Sequence, residues 1–176
     1  DPRAGSSTRV IQDGDFGGYR RGSGGSGGGG VGGCGDGSSS MGSGAVLGGD
    51  WSFFNNHLAW VTEDRYLHVC SEEGKLLGTP RRLKSKAESL SFGASPHGPD
   101  NDCILAINLS GKSLLIYNTN VPNRAVELHF EESYGRIVSH HWDSSGQIMV
   151  AFSHGFLTMV STLEDSLYRE KLCIRL

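Results

Sequence analysis

Three features of the sequence predict an all-β fold. After Asp50 the chain reads as short apolar runs, rich in β-branched and aromatic residues, each broken by a polar or glycine-bearing turn. No ten-residue stretch carries the 3.6-residue periodicity of a helix. A strand–turn–strand unit also recurs: Leu58, Ile104 and Ile148 open equivalent strands, at spacings of 46 and 44 residues. Four strands in roughly 40–45 residues is the period of a β-propeller blade. The alternative is an ordinary antiparallel sandwich.

Taken in order, residues 1–50 hold 19 of the 27 glycines, and half of the 36 residues 14–49 are glycine, with serine the commonest partner. Such a stretch buries too little apolar surface to offset its chain entropy, so 1–50 is expected to be a disordered Gly/Ser-rich low-complexity linker or insertion. Residues 51–176 are expected to form three blades, 51–86, 87–133 and 134–176. The first runs through Trp51-Ser52-Phe53, a hairpin of 58–61 and 66–69, and a polar fourth strand at Lys75-Leu76-Leu77. The second runs through Leu90-Ser91-Phe92, a hairpin of 104–107 and 114–117, and a fourth strand at 125–128. The third runs through His141-Trp142, a hairpin of 148–152 and 156–160, and a fourth strand at Leu167-Tyr168-Arg169. Trp51, Phe92, Trp142, Gly146 and Gly155 are the structural markers of these blades. The segment Trp142-Asp143-Ser144-Ser145-Gly146-Gln147 matches the tryptophan, turn and glycine that join the first two strands of a WD-repeat blade. Its Asp-to-Gly span makes a tight turn, and its tryptophan is expected to pack between adjacent blades.

The repeats are degenerate. Where a WD-repeat blade ends its third strand in Trp-Asp, this chain has Val69-Cys70, Tyr117-Asn118 and Ser161-Thr162. Seven blades need roughly 300 residues. Three blades form an incomplete propeller with two large apolar faces uncovered, as expected of an interior piece of a longer protein. The chain begins at Asp1 and shows no charged-then-apolar leader, which fits a processed chain or such a piece.

Candidate chemistry is sparse. A net charge of −3 and pI near 6.2 argue against a nucleic-acid surface. Arg20 and Arg21 beside Tyr19 make only a faint likeness to an RNA-binding Gly/Arg tract. No apolar run approaches 18 residues, so no membrane insertion is expected. Cys34, Cys70, Cys103 and Cys173 lie 36, 33 and 70 residues apart without a CxxC pair, and are expected to be small buried hydrophobes in a reducing compartment. Ser110-Gly111-Lys112-Ser113 ends like a phosphate loop, but Ala106 stands where the earlier glycine belongs and the segment joins two strands, so it reads as a hairpin turn. His140 and His141 point to opposite faces of a strand; His68 and Cys70 share a face, but two ligands do not make a metal site. Ser139 and Ser153 beside histidines lack a nucleophile elbow, and the doublets Glu72-Glu73 and Glu131-Glu132 read as solvated turns. No catalytic, cofactor or metal residues are therefore assigned, and the sequence does not specify which surface binds protein partners.

Residues 114–118, 123–130, 134–138 and 142–155 together resemble the N-terminal propeller of the WD-repeat subunits of intraflagellar transport complex A, and residues 51–92 fit the preceding blade more loosely. The resemblance implies a non-catalytic scaffold of tandem propellers and a helical-repeat tail. Such a scaffold works in retrograde transport and cilium assembly, at the cilium or flagellum, the basal body and the cytoplasm. The implied partners are other subunits of the transport complex and ciliary cargo, with no cofactor. A generic WD-repeat adaptor, such as a vesicle-coat subunit, is the competing expectation. The glycine tract has no counterpart in the family pattern.

Overall fold

The computed structural model describes residues 9–12, 44–52, 56–94, 103–120, 125–162 and 170–176. These residues contain no α-helix. Their strands form three antiparallel sheets, each built from four strands consecutive in sequence. The first sheet is β2 (Val46–Ser52), β3 (His57–Thr62), β4 (Tyr66–Cys70) and β5 (Arg81–Arg82). The middle sheet is β6 (Ala87–Ala94), β7 (Cys103–Leu109), β8 (Ser113–Asn118) and β9 (Val126–His129). A short strand β1 (Arg9–Gln12) is added outside β9. The third sheet is β10 (Ile137–Trp142), β11 (Gln147–Phe152), β12 (Phe156–Ser161) and β13 (Glu170–Arg175). The period visible in the sequence is thus one sheet per repeat.

Burial distinguishes a propeller arc from a two-layer sandwich. Along β11 buried and half-buried positions alternate, as in a strand with one face packed. Along β8, Ser113–Tyr117 is buried without a break, and Leu105–Leu109 of β7 is too. The middle sheet is therefore covered on both faces. Leu105, Ile107, Leu109, Leu115 and Tyr117 join Ala59, Val61, Leu67 and Val69 of the first sheet in one apolar cluster. Ala106, Leu114, Ile116 and Leu128 join Ile137, Trp142, Ile148, Val150 and Val160 of the third sheet in another. Successive residues of one strand thus serve two different seams.

Several boundaries differ from the sequence expectation. Residues 46–50, expected within the disordered segment, are the first part of β2, and 9–12 is a strand; 13–43 lies outside the described residues. Gly48 and Gly49 look like linker but sit in a strand, paired with Val61 and Trp60 of β3. A Cβ on Gly49 would come within 2.9 Å of the Ala59 carbonyl and 3.3 Å of the Trp60 Cβ, whereas one on Gly48 would meet nothing within 4 Å. In the first sheet, Lys75-Leu76-Leu77 is not the fourth strand. Leu76 makes a single bridge to Cys70, and the ladder to β4 is made by Arg81–Arg82. Residues 167–169 lie outside the described residues, and the fourth strand seen is β13. Cys70 is buried as expected, but Cys173 is exposed on β13; Cys34 lies outside the described residues.

Candidate functional site

The surfaces that this fold offers are two seams, one rim of turns and the two terminal sheet faces. At the first seam the Asp50 carboxylate accepts the Phe92 backbone N–H at 2.8 Å and that of Trp51 at 2.9 Å. Phe92 packs, half-buried, against the cluster between the first and middle sheets. At the second seam Trp142 is 9% exposed, and its indole Nε1–H donates to the Ser91 carbonyl at 3.2 Å. Gly93 lies directly under that indole, where an added Cβ would overlap the ring. Ser89 Oγ and His140 Nδ1 approach at 3.5 Å across the same seam.

Trp51 differs from Trp142. It pairs across β2 and β3 with Leu58, on the opposite face from Asp50 and Ala59, and is 37% exposed. It faces away from the middle sheet and is not a seam residue here. Gly146 and Gly155 close the hairpin turns of the third sheet with φ of 75° and 78°. In the first of these turns the Asp143 carboxylate accepts the Ser145 and Gln147 backbone N–H at 2.9 and 2.8 Å and the Ser145 hydroxyl at 2.7 Å. Burial works to raise the Asp143 pKa, but these bonds outweigh it and hold the carboxyl below its ordinary value. Thr162, in the place of a WD-repeat aspartate, donates its hydroxyl to the Gly146 carbonyl and ties the end of β12 to this turn.

Sequence reasoning missed the rim. The central hairpin turns of the three sheets lie along one end of the molecule, and each inter-sheet linker is hydrogen-bonded to the turns on both sides of it. Leu83 N–H donates to Arg65 O at 2.8 Å and Ser110 N–H to Lys86 O at 2.8 Å, so residues 83–86 bridge the first two turns. Ile137 N–H donates to Gly111 O and Ser153 N–H to Arg136 O, both at 2.8 Å, so 136–137 bridge the next pair. Asn108 fastens the middle turn, its Oδ1 accepting Gly111 N–H at 3.0 Å and its Nδ2 reaching Ile137 O at 3.5 Å. The Arg136–Glu88 ion pair at 2.7 Å decorates this rim; as an exposed pair it contributes little to stability. Ser110-Gly111-Lys112-Ser113 is therefore the hairpin turn of this clasp. These bonds are almost all backbone to backbone, which is why no residue pattern announces them.

The terminal faces carry apolar side chains. On the third sheet, Met149, Met159 and Leu172 lie side by side in register, as do Ala151, Leu157 and Ile174. Leu172 and Ile174 are 47% and 38% exposed. The chain on its own is expected to self-associate through such a face. The double substitution Leu172→Lys and Ile174→Lys should shift sedimentation velocity profiles toward monomer while moving the unfolding midpoint little, because both sites are surface positions. An unchanged distribution of species would show that this face is not the sticky one.

On the first sheet, Trp60 and His68 are cross-strand neighbours with stacked rings 5.0 Å apart. His68 is 2% exposed, and neither ring nitrogen has a hydrogen-bond partner among the described residues. Burial holds the His68 imidazole below the ordinary value of 6.5, against a smaller opposing effect of Asp64, and burial also lowers His57 and His140. A histidine kept neutral by the fold binds its proton more readily when unfolded. Its stabilising contribution is complete above the unfolded value of about 6.5 and is lost as pH falls from there toward the depressed folded values. The urea midpoint should therefore fall between pH 7.5 and pH 5.5. His68→Phe, which keeps the stack on Trp60 but cannot titrate, should flatten that fall; an unaltered slope would remove His68 from the account. Among the described residues no group of three or more His, Cys, Asp or Glu is placed to hold a metal ion.

Repeated four-stranded antiparallel sheets stacked face to face, with the middle one buried on both sides, define a β-propeller arc. Solved propellers share this arrangement. The chain superposes on the β-propeller domain of Myceliophteria thermophila Cps50 (Swd1) with TM-score 0.54 at 10% identity, over 74% of this chain and 44% of that one. A HIRA fragment gives TM-score 0.51 at 16% identity over 72% and 40%, and BBS1N, solved in complex with ARL6DN, gives 0.53 at 14% over 72% and 39%. These likenesses establish the fold alone.

Sequence comparison narrows the class. The chain belongs to the family of the WDR19 first β-propeller, whose family model matches residues 41–176. It is 27% identical over 118 residues to WD repeat-containing protein 19 of Homo sapiens and 32% identical over 112 residues to that of Mus musculus. It is 24% identical over 110 residues to WD repeat-containing protein dyf-2 of Caenorhabditis elegans. The alignments cover 61–65% of this chain but only 8–9% of each relative.

Proposed function

We propose that this chain is part of the first propeller of a non-catalytic, WDR19-like scaffold subunit of intraflagellar transport complex A. In this reading it serves retrograde ciliary transport and cilium assembly through contacts with other subunits of the complex and with ciliary cargo, at the cilium or flagellum and basal body. The observation that carries the reading is the family match over 41–176, supported by the relatives named WD repeat-containing protein 19 at 27% and 32% identity. The fold suits the role. A clasped rim of turns holds loop surfaces rigidly, and a scaffold gains affinity by summing several modest contacts rather than by filling one pocket.

The test is affinity purification of the tagged, longest natural form of the protein from ciliated or flagellated cells. Co-recovery of other subunits of the transport complex is the expected result. Recovery of vesicle-coat proteins instead, or of no transport subunit, would overturn the assignment in favour of a generic WD-repeat adaptor.

A further inference from the structure

Four-stranded sheets account for the repeat, yet the middle sheet has a fifth strand. β1 pairs antiparallel with β9 over its whole length, in the register Arg9 to His129, Val10 to Leu128, Ile11 to Glu127 and Gln12 to Val126. It is four residues long, stands at the end of the sheet, and among the described strands is paired with β9 alone. The 31 residues between Gln12 and Gly44, 15 of them glycine, connect it to the first sheet. Extended, that connection spans up to about 100 Å, far more than the distance across three sheets, so the covalent chain does not force β1 onto this edge. The edge itself selects it.

β9 is well built for that role. Val126, Glu127 and Leu128 are all buried, and β9 is paired with β8 along one backbone edge, so that only the short β1 covers the other. The Glu127 carboxylate is fixed by the Ser113 hydroxyl at 2.6 Å and flanked by His129 at 3.5 Å and Lys84 at 3.8 Å. A rigid, unpaired strand edge is a template for another extended segment. The resident strand is short, and ordering four residues consumes much of what its ladder bonds contribute.

We propose that the outer edge of β9 is a strand-docking site for an extended peptide of a partner protein, and that Arg9–Gln12 is its resident, displaceable occupant. The partner segment is proline-free and at least four residues long. It is apolar in the registers of Val10 and Ile11, and not acidic opposite Glu127, where like charges would face each other across the ladder. Tethering gives the resident strand an effective concentration of about millimolar, so an incoming peptide meets competition until β1 is released. The proposal does not depend on which assembly the chain serves.

The experiment uses the complete chain and a fluorescent octapeptide of residues 7–14, followed by anisotropy and by hydrogen exchange at Val126–His129. In Val10→Pro/Ile11→Pro the resident strand cannot complete its ladder. This variant should bind the peptide at least tenfold more tightly than the unaltered chain and not bind an octapeptide carrying Ile11→Glu. The outward-facing amides of 126–129 should exchange slowly in the unaltered chain, rapidly in the variant, and slowly again with peptide bound, while β7 and β8 stay protected throughout. Val10→Gly/Ile11→Gly, which weakens the strand without prolines, should show the same effects in smaller measure. Equal peptide affinity for all three chains, or exchange at 126–129 indifferent to the substitutions, would overturn the proposal. A concentration-dependent dimer that disappears in the proline variant would overturn it too, because the edge would then be filled by β1 of a second copy.

Discussion

Replacing Trp142 with alanine is expected to destabilise the chain by about 3–5 kcal/mol, the range for removing a buried tryptophan. The indole fills the seam between the middle and third sheets, and its N–H satisfies the Ser91 carbonyl. The substitution therefore leaves both a cavity and an unpaired acceptor. Chemical denaturation with fluorescence and circular dichroism recorded together measures the loss. The contact with Gly93 supplies an internal control. Gly93→Ala alone should destabilise by about 1–3 kcal/mol through overpacking against the ring. In the Trp142→Ala background the same change should be nearly neutral or compensating, because the ring it would strike is gone. Strict additivity of the two would mean that the indole does not sit on Gly93.

The second large effect concerns the middle sheet. Leu105→Ala and Leu114→Ala should each destabilise by about 2–5 kcal/mol, although Leu105 faces the first sheet and Leu114 the third. Both side chains are fully buried. In a sheet with one solvated face, residues of opposite parity do not both carry such a penalty. If one of the pair proved tolerant, within about 0.5 kcal/mol of the unaltered chain, one of the two seams would be absent. The two losses should also add, since the residues share no apolar cluster.

The all-β class and its repeat were legible because they are local. Alternating or continuous apolar runs such as Ile104–Ile107 and Ile148–Phe152, ending in turns with positive φ at Ser110, Gly111 and Gly155, carry their signal within a few residues. What was not legible depends on neighbours distant in the chain. Gly48-Gly49 reads as linker until its pairing with Val61 and Trp60 of β3 is seen, with the carbonyl of Ala59 passing beside Gly49. Arg81–Arg82 has no apolar pattern and becomes a strand only because β4 presents an edge to it. Arg9–Gln12 is too short to announce itself and is ordered by β9. Trp51 and Trp142 look alike as first-strand aromatics and hold the same register, opposite Leu58 and Ile148, so they face the same side of their sheets. The middle sheet lies on that side of the third sheet but on the other side of the first, which only the assembled arc shows. The rim is missed altogether, because its linker-to-turn bonds join backbone groups that every sequence possesses.

The central claim is that the three sheets form an open arc with the middle sheet between the other two. Pairwise spin-label distances between Glu63, Lys112 and His154, one exposed position in the central turn of each sheet, test it directly. Packed sheets lie about 10 Å apart, so the Glu63–His154 separation should be roughly twice the Glu63–Lys112 and Lys112–His154 separations. A Glu63–His154 distance equal to or shorter than the other two would place the first and third sheets against each other and contradict the propeller arc.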